Sequence, residues 1–197
     1  MGMLNKLVVL PVFLLIACTV SASNSKHRSM YSGQEGRSIK SLSSEDIAEL
    51  KAGSGWGLAK TAELNGVPGP IHLLEMKDEI NLSSEQTLEI EKLFNEMNAA
   101  AVKLGNQLIE KELNLEMRFQ ENVPGEKELK SLLREIGDIR SELRFVHLSA
   151  HLKTPAILSD QQIDKYNALR GYFSSDPCMN IPEGHNREMW LKHNNCN

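Results

Sequence analysis

Aromatic side chains make up only 5% of this 197-residue chain, and no segment joins alternating polarity to the β-branched and aromatic density of a strand. With Leu, Ile, Ala, Glu and Lys dominating the middle of the sequence, an all-α fold is expected. A basic excess is also missing: 22 Lys and Arg face 26 Asp and Glu, for a net charge of −4. No sequence-wide positive field is available to attract nucleic acid. No Ser/His/Asp or Cys/His nucleophile can be assembled, and the Glu residues are spread as solvated helix faces, so no enzymatic activity is expected.

Residues 1–23 carry a single early Lys6, the apolar run LVVLPVFLLIAC and small residues directly after it, the pattern of an export signal. The run falls short of the ~20 residues of a membrane span, and Pro11 interrupts it, so it is read as removed. Two cleavage readings stay open. Leu15-Ile16-Ala17-Cys18 resembles a lipobox, which would make Cys18 a lipidated first residue and leave a lipid anchor; residues 20–23 resemble an ordinary small-residue site. Either cut removes Lys6, leaving 21 basic against 26 acidic residues and a charge near −5. Of the three cysteines, Cys178 and Cys196 then remain as a pair. A disulfide between them fits an oxidising compartment and is worth ~3 kcal/mol in the chain-entropy model. The alternative makes them soft-metal thiolates.

Residues 24–36 are polar and read as a tether. Ser43 or Ser44 opens a short helix through Leu50. The stretch GSGWGLAKTAELNGVPGP lacks the Lys-Ser/Thr ending of a phosphate loop and is read as a connector whose Trp56 and Leu58 pack on the main helices. Pro70 suits a first helical position, predicting a helix that stops near Asn81. Ser83 and Gln86 form a capping box that starts a new helix at residue 84. That helix carries Ile90, Met97 and Leu104 on one heptad series and Phe94, Ala101, Leu108 and Leu115 on the other, until Val123-Pro124-Gly125 breaks it. After the turn Leu129, Ile136, Leu143 and Ala150, with Leu132, Ile139 and Val146, repeat the seam, predicting a long antiparallel helical hairpin. Ser159 and Gln162 form a second capping box, with Leu158 and Ile163 as a hydrophobic staple, and open a last helix through Tyr172. The hairpin domain thus covers residues 70–173, and residues 174–197 are a tail closed by the disulfide. Phe145, Leu148 and Leu152 lie off the seam and point to a homodimer.

His147 and His151, four apart, share one helical face, the spacing for two imidazoles on one Zn, Ni, Co or Cu ion. The same spacing also fits two partly exposed His on a helix flank. His72 and Met76 form a second such pair, with Glu75 beside them. Register counting sets His72 opposite Lys92, and His147 and His151 opposite Ala101 and Met97, an offset of about 8–14 Å at helical rise. His185, Met189 and His193 in the tail are read as scattered solvated residues rather than a helical stripe.

The boxes LSSEQ at 82–86 and LSDQQ at 158–162, around a long hairpin in an exported chain, resemble the paired LTxxQ motifs of the Spy/CpxP family, with Ser in place of Thr. That family is similar to the CnrX-like heavy-metal sensors and ZraP-like zinc-binding proteins. The resemblance implies a periplasmic, helical, dimeric protein that senses or buffers a metal in heavy-metal or envelope stress. It also places His72 and Met76 upstream of the first box and His147 and His151 upstream of the second as ligands. The sensors' acidic ligand falls near Phe94, with Glu91 and Glu96 as neighbours. An envelope signalling protein would be its partner. The family's other activity, chaperone-like holding of unfolded clients without ATP, is the alternative.

Overall fold

Three serines start helices by the same chemistry. Ser43, Ser83 and Ser159 each accept from the backbone N–H three residues on, while Asp46, Gln86 and Gln162 reach back to the N-cap amide. Two of the four orphan donors of each helix start are thereby satisfied. The computed structural model describes residues 27–172, 178, 181 and 184–196. The helices among them are α1 (Ser44–Ala52), α2 (Lys60–Glu63), α3 (Pro70–Glu75), α4 (Ser84–Glu121), α5 (Glu126–Lys153), α6 (Asp160–Leu169) and α7 (Arg187–His193), with a 3-10 turn at Thr154–Ala156. No described residue lies in a strand, and no described helix is long and apolar enough to cross a membrane. The segment read as an export signal, with Cys18, lies outside the described residues.

The chain divides into two units, 1–35 and 36–197. In the first, residues 27–35 make turns held by local bonds such as Arg28 Nε to Ser32 Oγ at 3.2 Å. In the second, α4 and α5 form the expected hairpin. Asn122 leaves α4 with extended backbone (φ −155°, ψ 142°), and Gly125 caps α5. Arg118 to Glu128 at 3.2 Å and Lys111 to Glu135 at 2.7 Å tie the two helices near the turn.

Two apolar cores sit at different heights along this hairpin. One joins Ile39, Leu42 and Leu50 to Ala101, Leu108, Ile136 and Leu143, with Trp56 and Leu58 packed on it as the sequence predicts. The other joins Leu73 and Ile80 to Ile90, Leu158 and Tyr166, with Ile163 against it, so the Leu158–Ile163 staple is formed. Helix α1 crosses α4 where Gly105 faces the Leu50 carbonyl, and the Asn98 side chain donates to the Ala52 carbonyl at 2.8 Å. A helix end that would otherwise leave carbonyls unpaired is closed by a residue of its neighbour.

Several expectations need correction. Helix α3 ends at Glu75, where Met76 leaves helical geometry (φ −109°, ψ 20°). The chain continues as turns, and Asn81, left-handed at φ 54°, closes them with the Leu82 N–H on the Lys77 carbonyl. The predicted stop is therefore real while the helix before it is short. Helix α6 ends at Leu169 rather than Tyr172, because Gly171 turns left-handed (φ 73°) and Tyr172 N–H reaches the Asn167 carbonyl at 2.8 Å. The tail holds a helix after all: Asn186 caps Arg187–His193, and His185 stands before it with its ring edge on Trp190 at 4.9 Å. Cys178 and Cys196 form the expected disulfide.

Candidate functional site

Phe94 and Met97, assigned to the hairpin seam by their heptad positions, do not fill a core. Both are half-buried and line a cavity of about 600 Å³ between the two apolar cores. Its other walls are the Gly-rich connector from Ala52 to Leu64, the start of α3, and His147, His151, Arg170 and Tyr172. The connector turns over it through Trp56, left-handed at φ 43°, a conformation that costs a bulky side chain energy. The indole offsets this by donating to Asp46 at 2.7 Å and by lying under the Arg140 guanidinium, 5.2 Å from the ring centre. That hydrogen bond, with the Ser43 amide, lowers the Asp46 pKa. Arg140 in turn donates to the buried Glu112 at 2.7 Å, which also accepts from Ser41.

His72, His147 and His151, the three His singled out by spacing, all line the one cavity. The segment before α3 is tied directly to α5. His151 Nδ1 lies 2.9 Å from the Val67 carbonyl, and Thr154 Oγ1 donates to the Pro68 carbonyl at 2.7 Å. A carbonyl can only accept, so His151 carries its proton on Nδ1. In the neutral ring Nε2 is then a bare lone pair, the tautomer that metal-ligating His adopt when the far nitrogen is anchored. Gly69 packs on that edge: a Cβ there would fall 2.7 Å from His151 Cε1 and 2.9 Å from Glu63 Oε1.

His147 is 3% exposed, and its Nε2 is buried without a hydrogen-bond partner. Burial, reinforced by neighbouring His151, pushes its pKa below the ordinary 6.5. The folded state therefore holds this ring neutral, and the unfolded chain binds more protons as pH falls below about 6.5. Stability is full above that value and is lost as pH drops toward the folded-state pKa. Thermal melts should show a lower Tm at pH 5.5 than at pH 7.5, and His147→Gln, which cannot titrate, should reduce that difference.

The remaining assigned residues divide. His72 holds Glu75 at 2.8 Å through Nδ1, and Glu75 does not line the cavity. Met76 packs with the Leu73, Ile80 and Ile90 core and does not line the cavity, although its N–H still closes the last turn of α3 on the His72 carbonyl at 3.1 Å. Glu91 and Glu96 are exposed and do not line the cavity. Its carboxylate is Glu63, which accepts from Tyr166 Oη at 2.8 Å and stands 3.9 Å from Arg170. Tyr166 is fully buried, and burial, with the Glu63 bond, raises its pKa. Among the described residues no three His, Cys, Asp or Glu side chains are grouped to hold an ion. His147 and His151 line the cavity together with His72 and Glu63, and Glu63 Oε1 and His151 Nε2 both face the Gly69 Cβ position, at 2.9 and 2.8 Å.

Glu63, Tyr166 and Arg170 were not singled out by sequence. The clue was the connector itself, a Gly- and Pro-rich stretch with a charged helix inside it, but nothing in its pattern says which wall it faces. Gln86 and Gln162 also do more than cap. Gln86 Nε2 donates to Gln162 Oε1 at 2.9 Å and to the Ile157 carbonyl at 2.8 Å, while Gln162 Nε2 donates to Gln86 Oε1 at 3.0 Å and to the Asn81 carbonyl at 3.1 Å. The two boxes are clasped together below the cavity-forming segments. No family model, curated protein or solved structure matches the chain.

Proposed function

We propose that this chain is an exported, periplasmic metal-binding protein that senses or buffers a transition metal, Zn, Ni, Co or Cu, in heavy-metal or envelope stress. His147 and His151 are its ligands and His72 the residue that completes them. The observation that supports this most is the unpartnered Nε2 of a nearly fully buried His147, beside a His151 whose anchored Nδ1 leaves Nε2 bare. A buried polar atom without a partner costs about 1–3 kcal/mol, and a metal ion removes that cost. The ion would supply a positive charge that links α5 to α3, and that change is what a signalling partner in the envelope would read.

Calorimetric titration of the chain from Asn24 onward, disulfide formed, with each of the four ions is the test. Stoichiometric binding should be weakened at least a hundredfold in His147→Ala/His151→Ala and be unaffected in His185→Ala/His193→Ala. Binding that follows the tail variant instead would reject the site.

A second reading rests on a different surface. Phe145 is 62% exposed and Leu152 74% on α5, the face also suited to a second copy of the chain. An ATP-independent chaperone-like module would use it to hold unfolded clients, and suppression of client aggregation would then survive loss of both His.

A further inference from the structure

The cavity joins apolar walls to one unmatched positive charge. Trp56, Phe94 and Met97 line it half-buried, and two large apolar side chains of its wall stay open to solvent, Leu64 at 56% and Ile71 at 38% exposed. Its volume of about 600 Å³ falls within the range of small-molecule sites, which are lined mostly by such side chains with a few placed polar groups.

The charged side chains of the lining are Lys60, Glu63 and Arg170. Glu63 is already engaged, since it accepts from Tyr166 Oη at 2.8 Å and stands 3.9 Å from Arg170. Lys60 precedes it on α2, is exposed, and makes no ion pair among the described residues. The lining thus holds one cation in excess within a chain of net charge −4, and it draws an anion. Tyr172 supplies a second donor. Its hydroxyl accepts from Arg170 Nη2 at 3.2 Å, and its ring lies 5.5 Å from the same guanidinium, which holds the half-buried side chain in place. A phenol that accepts from a cation keeps its own proton to give, and gives it more strongly.

We propose that the cavity binds a small organic acid with an apolar body, the carboxylate on Lys60 Nζ and Tyr172 Oη and the body against Trp56, Phe94 and Met97, covering Leu64 and Ile71. One unmatched cation suits a monoanion, whereas a phosphate dianion would set a second negative charge beside Glu63. The buried nitrogens of His147 and Arg170 take no part. The site needs no ion, so it stands apart from the metal reading above.

Calorimetry on the full chain, disulfide formed and EDTA present, tests this with phenylbutyrate, its neutral amide and phenylbutylamine, which share one apolar body. The acid should bind at least tenfold more tightly than the amide, and the amine more weakly still. Lys60→Gln and Tyr172→Phe should each cut the acid's advantage to threefold or less, and Lys60→Glu should turn the preference toward the amine, with melting curves confirming that all three fold. Trp56 and Trp190 are the two tryptophans of the chain, so in Trp190→Phe the bound acid should change the emission of Trp56. No saturable binding of the acid, equal affinities for acid and amide, an advantage that persists in both Lys60→Gln and Tyr172→Phe, or binding that leaves Trp56 emission unchanged would overturn the proposal. Zn binding that depends on His147 and His151 while the acid does not bind sinks this proposal alone. Acid binding in a chain that takes up none of the four ions sinks the metal reading alone.

Discussion

Gly105→Ala should destabilise the protein by about 2–3 kcal/mol, the cost of forcing extra volume into a packed contact. In an isolated helix the same change would be favourable, by up to ~1 kcal/mol, because alanine is the better helix former. Here the sign reverses. A Cβ on Gly105 would land on the Leu50 carbonyl, and the atom in its way is backbone, which cannot rotate aside. Relief requires α1 to lift from α4, which loosens Leu50 and Leu42 from their core and withdraws the Ala52 carbonyl from Asn98. Gly137, in the middle of α5, is the control: it is exposed and nothing lies within 4 Å of its Cβ position. Gly137→Ala should stabilise by about 0.5–1 kcal/mol. Urea denaturation of the two variants should therefore move the midpoint in opposite directions. A neutral or stabilising Gly105→Ala would mean that α1 does not sit on α4 this closely.

Gln86→Glu separates two jobs of one side chain. A glutamate still accepts from the Ser83 amide, so the capping box survives. It cannot donate to Gln162 or to the Ile157 carbonyl, and it sets a carboxylate against both oxygens. The expected loss is about 1–2 kcal/mol, the lower part of the scale for acceptors left unpaired, since the clasp is half-buried. Ser83→Ala, which removes the Oγ acceptor of the cap alone, should cost only ~1 kcal/mol. Gln162→Glu should resemble Gln86→Glu. The double variant should be worse than the two singles added, because two carboxylates then face each other across the clasp. Additive effects in a double-mutant cycle would show that the two amides do not touch.

These two sites mark the limit of what pattern can deliver. The capping boxes were readable because they are local: Ser83 to Gln86 and Ser159 to Gln162 each act over one helical turn. The need for Gln rather than Glu was not, since a box by itself accepts either, and the distinction arises only when two boxes meet 76 residues apart. The hairpin was readable from its heptads and from Pro124 and Gly125. Phe94 and Met97 obeyed the same heptads and yet line the cavity, because periodicity reports which face a side chain is on and not whether the facing element fills the space. Gly105 gave no signal beyond being a glycine inside a helix. His147 and His151 were readable as a pair by spacing. The cavity that His72 borders with them depends on the connector, whose place no period encodes. Met76 keeps its spacing, with its N–H on the His72 carbonyl, and still packs into the core, because spacing does not say which neighbour a side chain meets.

The last stretch of the connector, residues 66–68, is gripped by its backbone. The carbonyls of Gly66, Val67 and Pro68 accept in succession from Asn167, His151 and Thr154, over sequence separations of 101, 84 and 86. A peptide carbonyl is common to every residue, so what defines this segment for its receptor is a path through space, and the side chains that read the path are spelled out on α5, the 3-10 turn and α6. The wall of the cavity and the instructions for placing it are thus written in different parts of the chain. Substitutions at 151, 154 or 167 would unseat this part of the wall without changing any residue of it.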